Sequence, residues 1–210
     1  MKRMFYVFLF GILSLVIAGG CKKSKPTATA PEPSLPQLPA EPAKAPDFTL
    51  TDQNGTAHTL SGFAGKIVVL EWLNPDCPFV KRHHETKTTM ADLAKAYADK
   101  GVVWLGINST HYFDTAKNKE FAARLNLPFA VLNDSDGKVG KLYGAARTPE
   151  MFIIHKDGTI VYHGAIDDDP KGDKPSPTNY VQQALDELLA GKPVSVPHTV
   201  PYGCTVKYAE

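Results

Sequence analysis

The sequence predicts an α/β fold in which helices flank a mixed central sheet. Apolar runs of strand length alternate with amphipathic segments of helix length, and a β-hairpin signal stands at each end of this alternation. Strands separated by helices pair in parallel, whereas hairpin strands pair antiparallel. We therefore expect antiparallel hairpins at the sheet edges and the element order β-hairpin, β, α, β, α, β, short α, β-hairpin, α, tail.

The first half of the domain contains a hairpin, a central strand and a long helix. Residues 48–51 and 56–60 are the predicted hairpin strands, because Asn54-Gly55 between them is a tight-turn signal. The apolar run within residues 66–73 is typical of a strand covered on both faces. Residues 78–100 are expected to form one amphipathic helix that ends at Gly101.

The second half continues the alternation. Asp114 is a candidate N-cap, and Lys156-Asp157-Gly158 is a candidate hairpin turn. The predicted strands are residues 102–107, 129–132, 151–155 and 159–163, and the predicted helices are residues 113–125, a short helix within 134–143, and residues 177–190.

Composition limits the possible functions. The 210 residues suffice for one ordinary domain with extensions, and a formal net charge of +1 gives no reason to expect a nucleic-acid partner. The three cysteines are Cys21, Cys77 and Cys204, and no Cys-x-x-Cys pair occurs among them. A zinc knuckle or ribbon is therefore not expected.

The N-terminal residues are predicted to form a targeting segment. Lys2 and Arg3 precede an apolar stretch over residues 4–17, which is too short for a comfortable membrane span, and small residues then lead to Cys21. This pattern resembles a bacterial lipoprotein signal, which implies cleavage before Cys21, lipid on its thiol and anchoring in a membrane. The alternative is an ordinary secretory signal. By resemblance to the sorting pattern of enteric bacteria, Lys22 favours the outer membrane.

These features predict a protein of the bacterial cell envelope, facing the periplasm, where disulfides form and persist. Residues 22–46 contain seven prolines and few large apolar residues, so they are expected to form an extended spacer that reaches roughly 75 Å. We divide the chain into a signal peptide (1–20), a lipid-anchored linker (21–45), a folded domain (46–191) and a tail that carries Cys204 (192–210).

Cys77 is the main candidate for chemistry. It lies where the central strand passes into the predicted helix, and Pro78 suits the first helical position, so Cys77 is the expected N-cap. Free backbone N–H groups at a helix start lower the pKa of a thiol. Lys81, one turn further on, adds positive charge. The alternative is a half-buried cysteine without a chemical role.

Several motifs together resemble the thioredoxin-like superfamily, in its redoxin branch of AhpC/TSA (peroxiredoxin-like) and TlpA-like proteins. The resemblance covers residues 45–191 and implies a thioredoxin-like fold and a thiol-dependent redox activity without a cofactor. The motifs are Ala45-Pro46-Asp47-Phe48-Thr49-Leu50, Asn54-Gly55, Gly65-Lys66-Ile67-Val68-Val69-Leu70, Cys77-Pro78-Phe79-Val80, Thr148-Pro149-Glu150-Met151-Phe152-Ile153-Ile154 and, in the tail, Gly203-Cys204-Thr205-Val206-Lys207-Tyr208.

The resemblance also proposes residues that support the active cysteine. Thr148-Pro149 is similar to the cis-proline segment of thioredoxin folds, and a trans proline at a strand start is the alternative. The proposed supporting residues are Trp72, Asn74, Pro75, Asp76, Pro78, Lys81, Arg147, Thr148 and Pro149.

The sequence departs from the motifs of the families that it resembles at three positions. Val80 stands where thioredoxins carry a second cysteine, and Asn74 stands where peroxiredoxins carry a threonine. Arg147 is out of register with the peroxiredoxin arginine. The departures weigh against efficient peroxidase activity.

Cys204 is the candidate partner of Cys77. Because no resolving thiol lies close to Cys77 in sequence, we expect Cys204 to fold back from a flexible tail and release the mixed disulfide formed at Cys77. The alternative is a lone surface thiol.

Two polar clusters receive structural interpretations. Arg82-His83-His84-Glu85 is expected to be a solvated helix face, and Asp167-Asp168-Asp169 a polar loop. Neither has ligand spacing for a metal, so no metal site is predicted.

Three hypotheses follow. The first is an extracytoplasmic thiol-disulfide oxidoreductase that uses an external thiol reductant and a disulfide substrate. The second is a thiol-dependent peroxidase with an antioxidant role and a peroxide substrate. The third is a non-catalytic module that binds a peptide or a metal.

Overall fold

The computed structural model describes residues 43–209. The predicted signal peptide, the lipidation of Cys21 and most of the predicted linker lie outside the described residues. Within residues 43–209, no helix has the length and apolar character needed to cross a membrane. The last linker residues already belong to the domain, because Lys44 pairs with Thr159 and the Ala45 N–H donates to the Gly158 carbonyl oxygen at 2.8 Å.

A mixed seven-stranded sheet forms the centre of this part of the chain, in the order β2-β1-β5-β4-β3-β7-β8. The central strands β3, β4 and β5 pair in parallel, and the hairpins β1–β2 and β7–β8 lie at the two edges. The predicted fold class is confirmed. The strands are β1 (Thr49–Asp52), β2 (Ala57–Thr59), β3 (Ile67–Trp72), β4 (Val102–Asn108), β5 (Ala130–Asn133), β6 (Arg147–Thr148), β7 (Glu150–Ile154), β8 (Ile160–Gly164) and β9 (Cys204–Thr205).

Helices and loops cover both faces of the sheet, and each face has its own apolar core. Asp114 caps its helix as predicted, since its side chain accepts a hydrogen bond from the Lys117 N–H at 2.8 Å. The helices are α1 (Pro78–Lys81), α2 (Thr89–Ala98), α3 (Thr115–Arg124), α4 (Lys138–Tyr143) and α5 (Tyr180–Leu189), with a π-helical turn over Arg82–Thr86 and a 3₁₀ turn over Leu60–Phe63.

Strand β3 fixes the position of Cys77. All six of its residues are buried, and it pairs in parallel with β4 on one side and antiparallel with β7 on the other. Such a strand is held by two ladders of hydrogen bonds and by packing on both faces. The chain therefore leaves β3 at a rigid point, five residues before Cys77.

The single helix predicted over residues 78–100 is wrong. After one turn of α-helix the chain forms the π-helical turn, in which the Lys87 N–H donates to the Arg82 carbonyl oxygen at 2.8 Å. The chain then breaks at Thr88, which has a left-handed backbone with φ of 52°. A π turn holds an extra residue, so it rotates the following side chains relative to an α-helix.

This rotation overturns the prediction of a solvated face at residues 82–85. His83 and His84 are 0% and 3% exposed, whereas Glu85 remains at the surface and pairs with Arg124. The acidic run lies in a loop after β8, as predicted, and Asp167 and Asp169 are buried within it.

His84 reaches a buried carboxylate on β3. Its Nε2 lies 2.6 Å from Oε1 of Glu71, and the Trp104 Nε1–H donates to Oε2 of Glu71 at 3.1 Å. Glu71 is 0% exposed. Burial of a carboxylate is unfavourable unless its oxygens are paired. This cluster therefore joins the π-helical turn to β3 and β4 beneath the Cys77 segment.

Replacing Glu71 tests the energetic role of this cluster. Glu71→Leu leaves the His84 and Trp104 donors buried without partners, and we expect the free energy of unfolding to fall by about 3–5 kcal/mol. Glu71→Gln keeps an acceptor and is the matched control, with an expected loss of about 1 kcal/mol. Urea unfolding followed by far-UV circular dichroism measures both. Equal stability of the two variants would contradict the assignment.

Candidate active site

Cys77 occupies the N-cap of α1, with Pro78 in the first turn, as the sequence predicts. The preceding turn is built by Asn74, whose Oδ1 accepts from the Asp76 N–H at 2.9 Å and whose carbonyl oxygen accepts from the Cys77 N–H at 2.9 Å. Asn74 is 2% exposed. The turn thus fixes the backbone that delivers the thiol from β3 to the helix start.

The Cys77 thiol is enclosed. It is 2% exposed and donates a hydrogen bond to the Thr148 carbonyl oxygen at 3.0 Å. Thr148 is itself 1% exposed, and the Thr148–Pro149 peptide bond is cis, as the family resemblance predicted. The side chain of Cys204 is partly buried against the apolar cluster that contains Cys77, and it completes the enclosure.

The expected approach of Cys204 to Cys77 is present, but the tail is not separate from the domain. Strand β9 pairs antiparallel with β6, which places Cys204 opposite Thr148 and Thr205 opposite Arg147. We call residues 198–208 the strap. It begins where His198 pairs with His163 on β8, and it ends where the Lys207 carbonyl oxygen accepts from the His111 N–H at 2.9 Å.

Gly203 allows the strap to lie in contact with the Thr148 backbone. Its φ is +120°, and a Cβ at this position would lie 2.1 Å from the Thr148 carbonyl oxygen. A side chain at Gly203 is therefore incompatible both with the backbone conformation and with the contact. Contact between the strap and Thr148 depends on a residue without a side chain directly before Cys204.

The environment separates the pKa values of the two thiols. Burial raises the pKa of Cys77, but the neighbouring polar groups of Cys204, Thr148 and the Val80 backbone stabilise its thiolate more strongly, so the Cys77 pKa is lowered. Burial and the neighbouring Cys77 raise the pKa of Cys204 to about 11. Cys77 is therefore the thiol that ionises more readily, and Cys204 stays protonated to a higher pH.

The other proposed supporting residues do not all surround the thiol. Trp72 belongs to the apolar core on the opposite face of the sheet from Cys77, where its Nε1–H donates to Ser109 Oγ at 3.1 Å. Arg147 and Asp76 are exposed. Pro75 and Pro149 are buried, and Pro149 packs against the Gly203 position.

Lys81 lies beside the site on an open groove of about 500 Å³ next to the Cys77 turn. The groove offers basic, acidic and aromatic side chains to a substrate, and its lining residues are Pro75, Asp76, Lys81, Tyr112, Phe113, Lys117, Glu120, Phe121 and Arg124. In the part of the chain that the structure describes, no group of three or more His, Cys, Asp or Glu side chains is arranged to hold a metal ion.

Sequence reasoning missed Tyr202 and the groups around it. The Tyr202 hydroxyl donates to Asp167, lies 3.0 Å from His83 Nε2 and accepts from Arg82 Nη2 at 3.3 Å. The sequence predicts a solvated helix face for Arg82 and His83 and a polar loop for Asp167, and it gives no role to Tyr202. The sequence does contain one signal. Tyr202 is a large aromatic residue two positions before Cys204, and such a side chain gains free energy when it is buried close to the site.

The family model described as the AhpC/TSA family matches residues 42–163, more than half of the chain. The chain belongs to the AhpC/TSA family. It is 32% identical over 131 residues to peroxiredoxin Q, chloroplastic, of Oryza sativa subsp. japonica, covering 56% of this chain and 55% of that protein. It is 31% identical over 118 residues to thiol-disulfide oxidoreductase ResA of Bacillus cereus, covering 56% of this chain and 65% of that protein.

This AhpC/TSA chain therefore spans just over half to just under two thirds of the length of these curated relatives. Two solved structures match more of it. A hypothetical protein of Sinorhizobium meliloti 1021 has a TM-score of 0.75 at 29% identity, covering 82% of this chain and 97% of that one. An uncharacterized conserved protein of Geobacillus kaustophilus has a TM-score of 0.73 at 32% identity, covering 80% and 92%. The fold is thioredoxin-like, as in a putative DsbE of Chlorobium tepidum with a TM-score of 0.52 at 26% identity, covering 58% and 82%.

The influence of Cys204 on the Cys77 pKa can be tested by pH titration. Cys204→Ala removes a donor to the Cys77 thiolate, and burial, which raises the Cys77 pKa, is then less opposed. Cys204→Ser keeps a donor and is the matched control. We expect the alkylation of Cys77 to require a higher pH in Cys204→Ala than in Cys204→Ser. Because the thiolate is the reactive form, its reactivity is lost as pH falls through the pKa.

The measurement is the iodoacetamide rate on the peptide of residues 67–81 between pH 5 and 10. If the two variants gave the same titration midpoint, a donor at position 204 would have no influence on the Cys77 pKa.

Proposed function

We propose that this chain is an extracytoplasmic thiol-disulfide oxidoreductase in which Cys77 is the nucleophile and Cys204 resolves the product. The observation that carries the proposal is geometric: the Thr148 carbonyl oxygen accepts from the Cys77 thiol, and the pairing of β6 with β9 places Cys204 opposite Thr148. The lowered pKa of Cys77 and the raised pKa of Cys204 support it. Membership in the AhpC/TSA family and similarity to ResA, a named thiol-disulfide oxidoreductase, support it.

The reaction proceeds in two exchange steps. The Cys77 thiolate attacks one sulfur of a substrate disulfide, a mixed disulfide forms on Cys77, and the other substrate sulfur leaves as a thiolate. Cys204 then attacks the Cys77 sulfur, giving the Cys77–Cys204 disulfide and releasing the second substrate sulfur, which takes up the Cys204 proton. The substrate gains two electrons and the protein loses two. An external dithiol reductant restores both thiols by the reverse exchange.

The remaining supporting residues have positioning roles in this proposal. Asn74 and Pro75 shape the turn before Cys77, and Thr148 and Pro149 provide the surface on which both thiols meet. Asp76 and Lys81 border the open groove and are placed to contact a substrate. The roles of Trp72 and Arg147 are indirect, through the packing of β3 and the pairing of β6 with β9.

The location of the reaction is part of the proposal. A lipid on Cys21 would anchor the protein to the bacterial envelope, with the outer membrane favoured by Lys22, and residues 21–45 would extend the domain into the periplasm. An oxidising compartment suits a protein whose activity depends on alternating between two thiols and one disulfide.

Peroxide reduction is the second candidate, and the enclosure of Cys77 favours it. A thiol that is 2% exposed is more accessible to a small peroxide than to a protein disulfide. The Cys77 thiolate would take one oxygen from hydrogen peroxide, giving a sulfenic acid and hydroxide, and Cys204 would condense with the sulfenic acid, releasing water. The similarity to peroxiredoxin Q supports this alternative.

Trapping with oxidised glutathione tests the first proposal. The full-length mature protein in detergent should form the Cys77–Cys204 disulfide and release two glutathione molecules. Cys204→Ser should instead accumulate glutathione on the peptide of residues 67–81. Cys77→Ser should react far more slowly at Cys204, because burial still raises the Cys204 pKa when Cys77 is absent. Peptide mapping without reduction measures each product.

The outcomes separate the three hypotheses. Faster oxidation by hydrogen peroxide than by oxidised glutathione, by about 100-fold or more, would favour the peroxidase. If neither oxidant joined Cys77 to Cys204, the catalytic proposal would fail and a binding role would remain.

A further inference from the structure

The Tyr202 side chain anchors the strap two residues before Cys204. Its hydroxyl donates to Asp167 Oδ1, accepts from Arg82 Nη2 at 3.3 Å and lies 3.0 Å from His83 Nε2. The centroid of its ring lies 5.9 Å from the centroid of the Phe79 ring. The Arg82 guanidinium carbon lies 5.5 Å from the centroid of the Tyr202 ring. The single hydroxyl therefore donates to Asp167 and lies within hydrogen-bond distance of two further side chains.

The groups that receive Tyr202 are held in place by bonds outside the strap. Asp167 is 4% exposed and also accepts from the Asp169 N–H at 3.0 Å. Arg82 donates to the Asp169 and Pro170 carbonyl oxygens at 2.9 and 3.2 Å. His83 is 0% exposed. The receiving site is thus a rigid polar pocket that fits a phenol hydroxyl.

Tyr202 is anchored next to the helix that carries Cys77. Phe79 is two residues after Cys77, and Arg82 and His83 follow in the π-helical turn. The other end of the strap is held elsewhere: the Tyr208 hydroxyl donates to the Ala145 carbonyl oxygen at 2.7 Å, and its ring lies against Gly137 and Gly140. Of the two tyrosine anchors, Tyr202 is therefore the one that bears on the contact between Cys204 and Cys77.

From this arrangement we infer that Tyr202 is a positioning residue that holds Cys204 on Cys77, and that its release from the Asp167 pocket determines which substrates reach Cys77. The inference rests on the proposed function. While Tyr202 is seated, Cys204 is placed to resolve Cys77, and Cys77 is open only to small reagents. A protein disulfide reaches Cys77 only after the Tyr202 hydroxyl leaves its three partners and the strap moves away from Thr148.

Tyr202→Phe tests the inference, because it removes the hydroxyl and keeps the ring. Tyr208→Phe is the matched control, since it removes a hydroxyl from the same strap at the anchor remote from Cys77. Two quantities are measured on the full-length reduced protein in detergent. The first is the rate at which oxidised glutathione produces the Cys77–Cys204 disulfide. The second is the ratio of two alkylation rates of Cys77, by a polyethylene-glycol maleimide and by N-ethylmaleimide.

The expected changes have opposite signs. In Tyr202→Phe the rate of disulfide formation should fall about tenfold, and the ratio of bulky to small alkylation should rise about tenfold, because hydrogen bonds to charged partners are lost. In Tyr208→Phe both should stay within about twofold of the wild type. A general loss of stability would not lower the rate of disulfide formation and at the same time raise the ratio of bulky to small alkylation. The ratio also cancels any change in the Cys77 pKa, since both reagents require the thiolate.

Gly203→Ala provides a second way to move the strap away from Cys77 if Tyr202→Phe folds poorly. Its Cβ would displace the strap from the Thr148 carbonyl oxygen while leaving the Tyr202 pocket intact, and it should raise the alkylation ratio. Unchanged values in Tyr202→Phe would overturn the inference while leaving the proposed function in place. A wild type that forms no Cys77–Cys204 disulfide would overturn the proposed function, and the alkylation ratio would still decide whether Tyr202 keeps the strap over Cys77.

Discussion

The contact on which the site depends is made by the backbone of Thr148. Its carbonyl oxygen accepts from the Cys77 thiol, and its strand β6 pairs with the β9 strand that carries Cys204. Three segments that are remote in sequence meet at this one peptide: the end of β3, the start of β7 and the strap. Because backbone groups provide the contacts, the geometry depends less on the Thr148 side chain than on the sheet that holds it.

The parts of the site that sequence reasoning predicted are those with local causes. Strand β3 is an apolar run, the turn before Cys77 needs only Asn74 and its neighbours, and Pro78 favours a helix start directly after Cys77. The hairpins and the Asp114 cap are equally local. Each is determined by a few adjacent residues, so its signal is present in a short window of sequence.

The parts that sequence reasoning missed depend on tertiary pairing. The residues of the π-helical turn, Arg82 to Thr86, look polar enough for a surface, and only the partners on β3 and in the loop after β8 explain why His83 and His84 are buried. The strand in the strap, β9, has only two residues, which is too short for hydrophobic periodicity to predict. Its position follows from Tyr202 and from the missing side chain at Gly203, whose partners lie more than 30 residues away.

The distance along the chain between the two thiols has a consequence for folding. A bond between Cys77 and Cys204 would close a loop of 127 positions (204 minus 77) that contains most of the sheet and all five helices. In the chain-entropy model such a closure makes the unfolded state less favourable by about 5 kcal/mol. A bond across neighbouring residues would restrict far less of the unfolded chain. The oxidation state of this protein would therefore also set how readily its domain unfolds, and by thermodynamic linkage the fold would itself shift the reduction potential of the thiol pair.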